Sequence, residues 1–427
     1  MLQNSHLIQQ QNFEIQFDHF SDGIGIQNEI QEMFYEKLLP RMEDLFDEIA
    51  QEKYTISIEK LEINCGLLNS KYWKEELVEE TLLHLRQELL ISPKKEIKNP
   101  EKTEADIEFS HSFHTFLFFL QNGYLPWNSR VDSINELEKA TSEYLNNNPN
   151  ISKKIKVLFK QNPSAIDRLL YSFSEAFFLK LLKQFAENKE EELEKIYLFL
   201  DKRKLTTRDN HIAYSLLFKK FSGSKTDAQP FNDSLTEAIE NPEKEKQLKK
   251  ASNSEGKNKE IDCIYIQNAG LVLLHPFLPE LFQKLDLWVD KQWKEISSQH
   301  IAVQVLEYLV SVQEDFAEFN LPLNKILCEM EVSEVLQPVP ELLPNYKTEC
   351  DNLLKEVIRH WSVLKNTSIQ GLRETFLQRN GKISRVDNGW LLNVEQKGVD
   401  VLLNSLPWGI GVIKLPWLVD TIFVEWV

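Results

Sequence analysis

The chain has 427 residues, 42% of them hydrophobic and 11% aromatic, which is material for two or three packed cores and excludes a disordered protein. A balance of 66 acidic against 49 basic residues leaves a formal charge of −17, which opposes phosphate binding and argues against nucleic acid as a partner. The four cysteines, Cys65, Cys263, Cys328 and Cys350, lack CxxC spacing and read as reduced thiols in a cytosolic setting.

In chain order, Phe13, Ile15 and Phe17 alternate with Glu14 and Gln16, the period of a half-buried strand, and residues 54–65 do the same through Ile56, Ile58, Leu61 and Ile63 with one change of phase. Between them a helical pattern runs from about Ile24 to Ala50, with Pro40 predicted to kink or restart it. Residues 70–91 form a second helix, so residues 1–91 read as a β-α-β-α domain. The charged, proline-bearing stretch 92–108 reads as a connector, and 109–221 as a helical bundle built from runs such as FHTFLFFLQNGYLPW and SAIDRLLYSFSEAFFLKLLKQFAE.

Residues 222–260 are dense in polar groups and read as a flexible charged linker. The last domain, 261–427, opens on IQNAGLVLLHPFLPELF, continues through helices, and closes in alternating runs with a turn at Asp387-Asn388-Gly389, the marks of a small sheet or hairpin. The expected fold class is therefore mainly α with small β elements (α+β). Neither a secretory signal nor an apolar run of the roughly 18 to 20 residues that span a bilayer is recognisable, so no membrane insertion is expected.

Candidate chemistry is thin. His111 and His114 stand three apart on a helix, but a zinc site needs at least a third ligand and no HExxH pattern is present. His275 lies in an apolar stretch with no GxSxG anywhere to supply a nucleophile, and reads as a hydrogen-bonded core residue. Gly23 and Gly25 lack the third glycine of a dinucleotide turn, and acidic runs such as Glu190-Glu191-Glu192 read as solvated helix faces. No catalytic residue, metal ligand or cofactor is assigned. The unusual feature is Leu-Pro-Trp, which recurs at 125–127, 406–408 and 415–417: proline fixes the backbone and the indole offers a large buried area with one donor to satisfy.

Three blocks carry a resemblance. IEKLEINCGLL at 58–68, with Leu61, Glu62 and Gly66, resembles the "I-x-x-L-E-hydrophobic-x-x-G" pattern of the contractile injection system tape measure family, found with extracellular phage-tail-like particles of the antifeeding-prophage kind. FLFFLQNGYLPW at 116–127, with Gly123, Leu125, Pro126 and Trp127, resembles its "FL-x-x-G-x-LPW" element. The block with Asn268, Ala269, Gly270, Pro276, Phe277 and Pro279 resembles "NAGLVLL-x-PFLP-x-LF", and an ending with Pro407, Trp408, Pro416, Trp417 and Trp426 also fits.

The resemblance implies a non-enzymatic protein that governs tube and sheath length, made in the cytoplasm and carried into an extracellular particle. Its implied partners are tube, cap or baseplate proteins, with self-association as a further option. An assembly chaperone or terminal adaptor is the alternative role, and a metal-dependent hydrolase a weaker one. Even a wholly helical chain would reach only about 640 Å at roughly 1.5 Å per residue, and globular patterning shortens it far below that.

Overall fold

The computed structural model describes residues 29–49, 54–55, 63, 65, 73–91, 95–96, 104–126, 129, 131–148, 152–187, 189–223, 230–240, 263–313, 316–339 and 341–426. The protein is mainly α-helical with small β elements, as the sequence predicts. It divides into two compact units, Met1–Ile107 and Glu108–Val427.

In the first unit, helix α1 (Leu39–Ile49) is entered through a π-helical turn, Phe34–Leu38, in which the Leu39 N–H bonds back to Phe34 O. Pro40 has no N–H to offer the carbonyl four residues before it, and its ring crowds that oxygen. Widening the turn just ahead of Pro40 lets the helix run on. Helix α2 (Trp73–Ile91) lies alongside: Lys37–Glu75 and Arg41–Glu79 are 2.9 and 2.6 Å apart, and Arg86 meets Glu48. Each pair spans 38 residues, and a constant offset means that the two helices run in the same direction. Parallel elements need a crossover, and strand β1 (Tyr54–Thr55) lies within it. Leu38, Met42, Leu45, Leu77, Val78 and Leu85 form the core between the helices. β1 pairs antiparallel with β2 (Lys95–Glu96); the strand expected at 13–17 lies outside the described residues.

Helix α3 (Glu104–Asn122) leads into the second unit and buries Phe113, Phe116, Phe119 and Leu120 at helical spacing. The bundle continues with α4 (Ile134–Asn147), α5 (Ser152–Gln161), α6 (Ser164–Ser172), α7 (Glu175–Phe185), α8 (Glu190–Asp201) and α9 (Thr207–Ser222). Local signals set these boundaries: Ser133 and Ser174 each accept an N–H three residues on, Thr206 and Asp209 form a capping box, and Gly223 closes α9 at φ 77°. Within the stretch 222–260, α10 (Phe231–Glu240) packs Leu235 against Ile212 and Ala213.

The C-terminal part of this unit is built on a five-stranded sheet in the order β3 (Ile264–Ile266), β6 (Gly381–Val386), β7 (Gly389–Val394), β9 (Thr421–Glu425), β8 (Val412–Ile413). The β6–β7 hairpin turns at the predicted Asp387-Asn388 pair, whereas β7 and β9 pair in parallel. Between β3 and β6 come a 3-10 helix, Ala269–Phe277, and α11 (Leu278–Lys284). A small hairpin follows, β4 (Trp288–Val289) with β5 (Gln292–Trp293), then α12 (Ile296–Ser311), α13 (Pro322–Leu327), α14 (Pro344–His360) and α15 (Ile369–Leu372), the last running into a π turn, Arg373–Leu377. Phe319 meets Phe119 edge to face at 5.6 Å, so the bundle and this part share apolar contact.

Candidate functional site

The block around Asn268 is held from below by polar groups. Asn268 makes no side-chain cap to the 3-10 helix; its Nδ2 donates inward to Asn324 Oδ1 at 2.7 Å and to Glu307 Oε2 at 3.3 Å. Asn324 Nδ2 donates to the same Glu307 oxygen at 3.3 Å, and burial pushes the Glu307 carboxyl above its usual range. Ala269 and Gly270 are fully enclosed, and a Cβ on Gly270 would stand 1.6 Å from Phe376 O. Only glycine allows this approach of two backbones. The next four residues, Leu271, Val272, Leu273 and Leu274, are all buried, while Pro276 is exposed and Pro279 starts α11 at a position where a missing N–H costs nothing.

Four indoles tie the last part of the chain to its surroundings, and one of them, Trp408, meets this block directly. Trp408 donates to Leu273 O at 3.0 Å and meets Phe277 at 5.1 Å; Trp417 donates to Leu327 O at 2.7 Å and packs at tilted angles among Phe282, Trp288 and Trp293. Trp361 donates to Leu402 O at 3.2 Å. Trp426 donates to Asp400 Oδ2 at 3.1 Å, an oxygen that also takes Arg379 Nη2 at 2.7 Å and the Lys397 N–H at 2.8 Å. Pro407 and Pro416 stand exposed beside their buried or half-buried tryptophans. His275 donates from Nδ1 to Val272 O at 3.0 Å, and burial lowers its pKa.

A second constellation joins the bundle to the C-terminal part. Arg168 on α6, fully buried, donates from Nε to Glu318 Oε2 at 3.2 Å, from Nη1 to Leu120 O at 2.6 Å and from Nη2 to Ser333 O at 2.6 Å. Lys325 reaches Glu318 Oε1 and Glu334 O, each at 2.6 Å, and Val332 O at 3.0 Å. Burial alone would push the Glu318 carboxyl up, but the two cations and their hydrogen bonds hold it below the usual carboxylate value. Burial also lowers the Lys325 pKa, against the pull of Glu318. Gly123 has φ +82°, and a Cβ there would come 2.9 Å from Arg168 Nη2 and 3.0 Å from Val332 O, so the "NGYLPW" glycine sits over this junction.

The irregular segment 329–339 closes over the junction without joining a sheet. Its polar backbone is satisfied by side chains: Leu336 N–H by Glu318 at 3.3 Å, Gln337 N–H by His300 Nδ1 at 3.2 Å, and Val339 N–H by Gln304 Oε1 at 3.0 Å. Desolvation holds the His300 pKa down at about 4.

Of the motif residues named from sequence, Gly123 meets the charged junction, Trp408 meets Leu273 and Phe277 of the 268–279 block, and Trp417 meets Phe282 just beyond it. Leu125 and Pro126 are half-buried, and Trp127, Leu61, Glu62 and Gly66 lie outside the described residues. His114 is exposed on α3, and among the described residues no group of three or more His, Cys, Asp or Glu is set to hold a metal. Sequence reasoning missed Arg168, Glu318, Lys325, Glu307, Arg379 and Asp400. A signal was present for two of them: Arg168 in SAIDRLL and Lys325 in PLNKIL are charges set among apolar helix residues.

A protein-family model described as contractile injection system tape measure protein matches residues 5–426. No curated protein and no solved structure gives a significant match.

Proposed function

We propose, from the premise that this chain belongs to the contractile injection system tape measure protein family, that it takes part in setting tube and sheath length during particle assembly. The observation that carries this reading is the match over residues 5–426, nearly the whole chain. It acts through protein contacts and without catalysis, in the cytoplasm before the particle leaves. In support, three buried carboxylates around the motif residues are engaged by internal partners: Glu318 by two cations, Asp400 by Arg379 and Trp426, Glu307 by two asparagines.

Compactness favours action at an end of the tube, against cap or baseplate proteins. A compact unit of about 300 residues has a radius of gyration near 20 Å, far too short to measure a tube by its own extension. No helix among the described residues is long and apolar enough to cross a membrane. The test is the tube-length distribution in electron micrographs after in-frame deletion, with mass spectrometry of purified particles. Altered or scattered lengths with the protein present in particles support the reading. Unchanged lengths overturn it, and altered lengths with the protein absent from particles mark an assembly chaperone.

A further inference from the structure

The sheet of the C-terminal part ends in β8, whose outer edge has no strand beside it among the described residues. Such an edge offers N–H and C=O groups to any extended chain that can approach it. From Leu406 to Val419 the sequence LPWGIGVIKLPWLV holds one charged residue, in a chain of which 27% is charged, and that residue, Lys414, donates from Nζ to Val419 O at 2.6 Å. The edge is left almost without charge. Val412 is 61% exposed and Val419 78%, with Pro407, Gly409, Gly411 and Pro416 exposed among them.

A short edge strand with an exposed valine marks nothing by itself, since proteins commonly blunt such edges with prolines and a lysine. The glycines are a second observation. Gly409 and Gly411 have no positive φ, and a Cβ on either would meet nothing within 4 Å, so neither the backbone nor the packing of this chain asks for glycine there. Glycine weakens a strand and is found where another backbone comes close. The edge also complements its own reverse: with Val412 opposite Val412 of an antiparallel second copy, each Gly411 falls opposite an Ile413 and each Gly409 opposite a Leu415. Small meets large on both sides of the centre, and the two Lys414 stand at opposite ends.

We propose that β8 pairs antiparallel with β8 of a second copy about a two-fold axis at Val412, joining the two five-stranded sheets into one. The contact is isologous and uses up this edge on both copies, so it closes as a dimer. Pro407 and Pro416 bound the pairing and keep it short, and its affinity is on the order of tens of micromolar. Two copies of charge −17 repel, so added salt strengthens it. The inference rests on the C-terminal part alone and does not depend on the family reading.

Sedimentation velocity of the full chain up to about 200 micromolar, at about 0.02 M and about 0.5 M salt, should show a species of twice the monomer mass that grows with concentration and with salt. Val412→Lys and Val412→Glu should each be monomeric, because like charges then face each other across the axis, and a mixture of the two should dimerise again. Val412→Cys should form a disulfide between copies on mild oxidation, since directly opposed residues of antiparallel strands have Cα atoms about 4.5 to 5.5 Å apart. Val401→Cys, at a position 67% exposed on the 3-10 segment Gly398–Ser405, should not. Circular dichroism and a cooperative melt identify variants that fail to fold; if the charged ones do so, the uncharged Val412→Cys still decides. A monomer at every concentration, a dimer lost at high salt, charged variants that dimerise alone, a folded mixture that stays monomeric, or crosslinking no stronger at 412 than at 401 would overturn the proposal.

Discussion

At Gly270 the 3-10 helix and the π turn touch backbone to backbone, and a methyl group has nowhere to go, because the nearest atom is the Phe376 carbonyl oxygen and not a movable side chain. Gly270→Ala should cost about 3 kcal/mol or more, read as a fall in the urea midpoint or as insoluble expression. Val312 is the opposite case. It ends α12 at φ 63°, a left-handed conformation that a β-branched residue adopts only under strain. Its side chain is 41% exposed, so little packing is lost on removing it. Val312→Gly should stabilise the protein by about 1 kcal/mol in the same denaturation experiment. Neither effect was legible in the sequence: the motif marks Gly270 as special without naming Phe376, and Val312 follows a helix with no glycine to announce its end.

The segment 329–339 shows how an element with no regular structure can still be tightly specified. His300 and Gln304, one turn apart on α12, meet backbone groups of Gln337 and Val339 in the way a neighbouring strand would. His300 must be neutral at Nδ1 to accept the Gln337 N–H. Its folded pKa, about 4, lies below the ordinary 6.5, so the unfolded chain takes up the proton first as pH falls. Stability from this group is fully present above about pH 6.5 and is lost progressively towards pH 4, to a total on the order of 3 kcal/mol. His300→Gln, which keeps an acceptor, should show a smaller loss than the wild type between pH 7 and 4.5 in parallel urea titrations. Equal losses would show that His300 does not titrate in this way. The regular elements were far more readable, since the β6–β7 hairpin announced itself by alternation on both sides of Asp387-Asn388-Gly389. The π turn before Pro40 was legible only as a disturbance, because a proline says that the hydrogen-bond pattern must change and not how. The β7–β9 pairing was not legible at all, since parallel neighbours are distant in sequence and leave no turn signal.

Across the second unit, the Arg168–Glu318–Lys325 junction ties the bundle to the C-terminal part at sequence separations of up to 165 residues. Two buried cations share one carboxylate, so Glu318→Gln removes the anion that both of them contact. That should cost about 3 to 5 kcal/mol and lower the melting of the whole unit, not of one part, in calorimetry. Composition excluded disorder and periodicity gave the class, but the junction depends on three residues from separate elements, and single-sequence patterns carry no information about which distant charges meet. The strand order has a consequence for synthesis. β9 inserts between β7 and β8 and is made after both, so the sheet cannot close until translation has passed Glu425. Ribosome-bound chains halted before Thr421 should therefore leave β7 with an open edge and be cut readily by protease there, whereas the released chain resists; the nascent domain matures only at the end of its own manufacture.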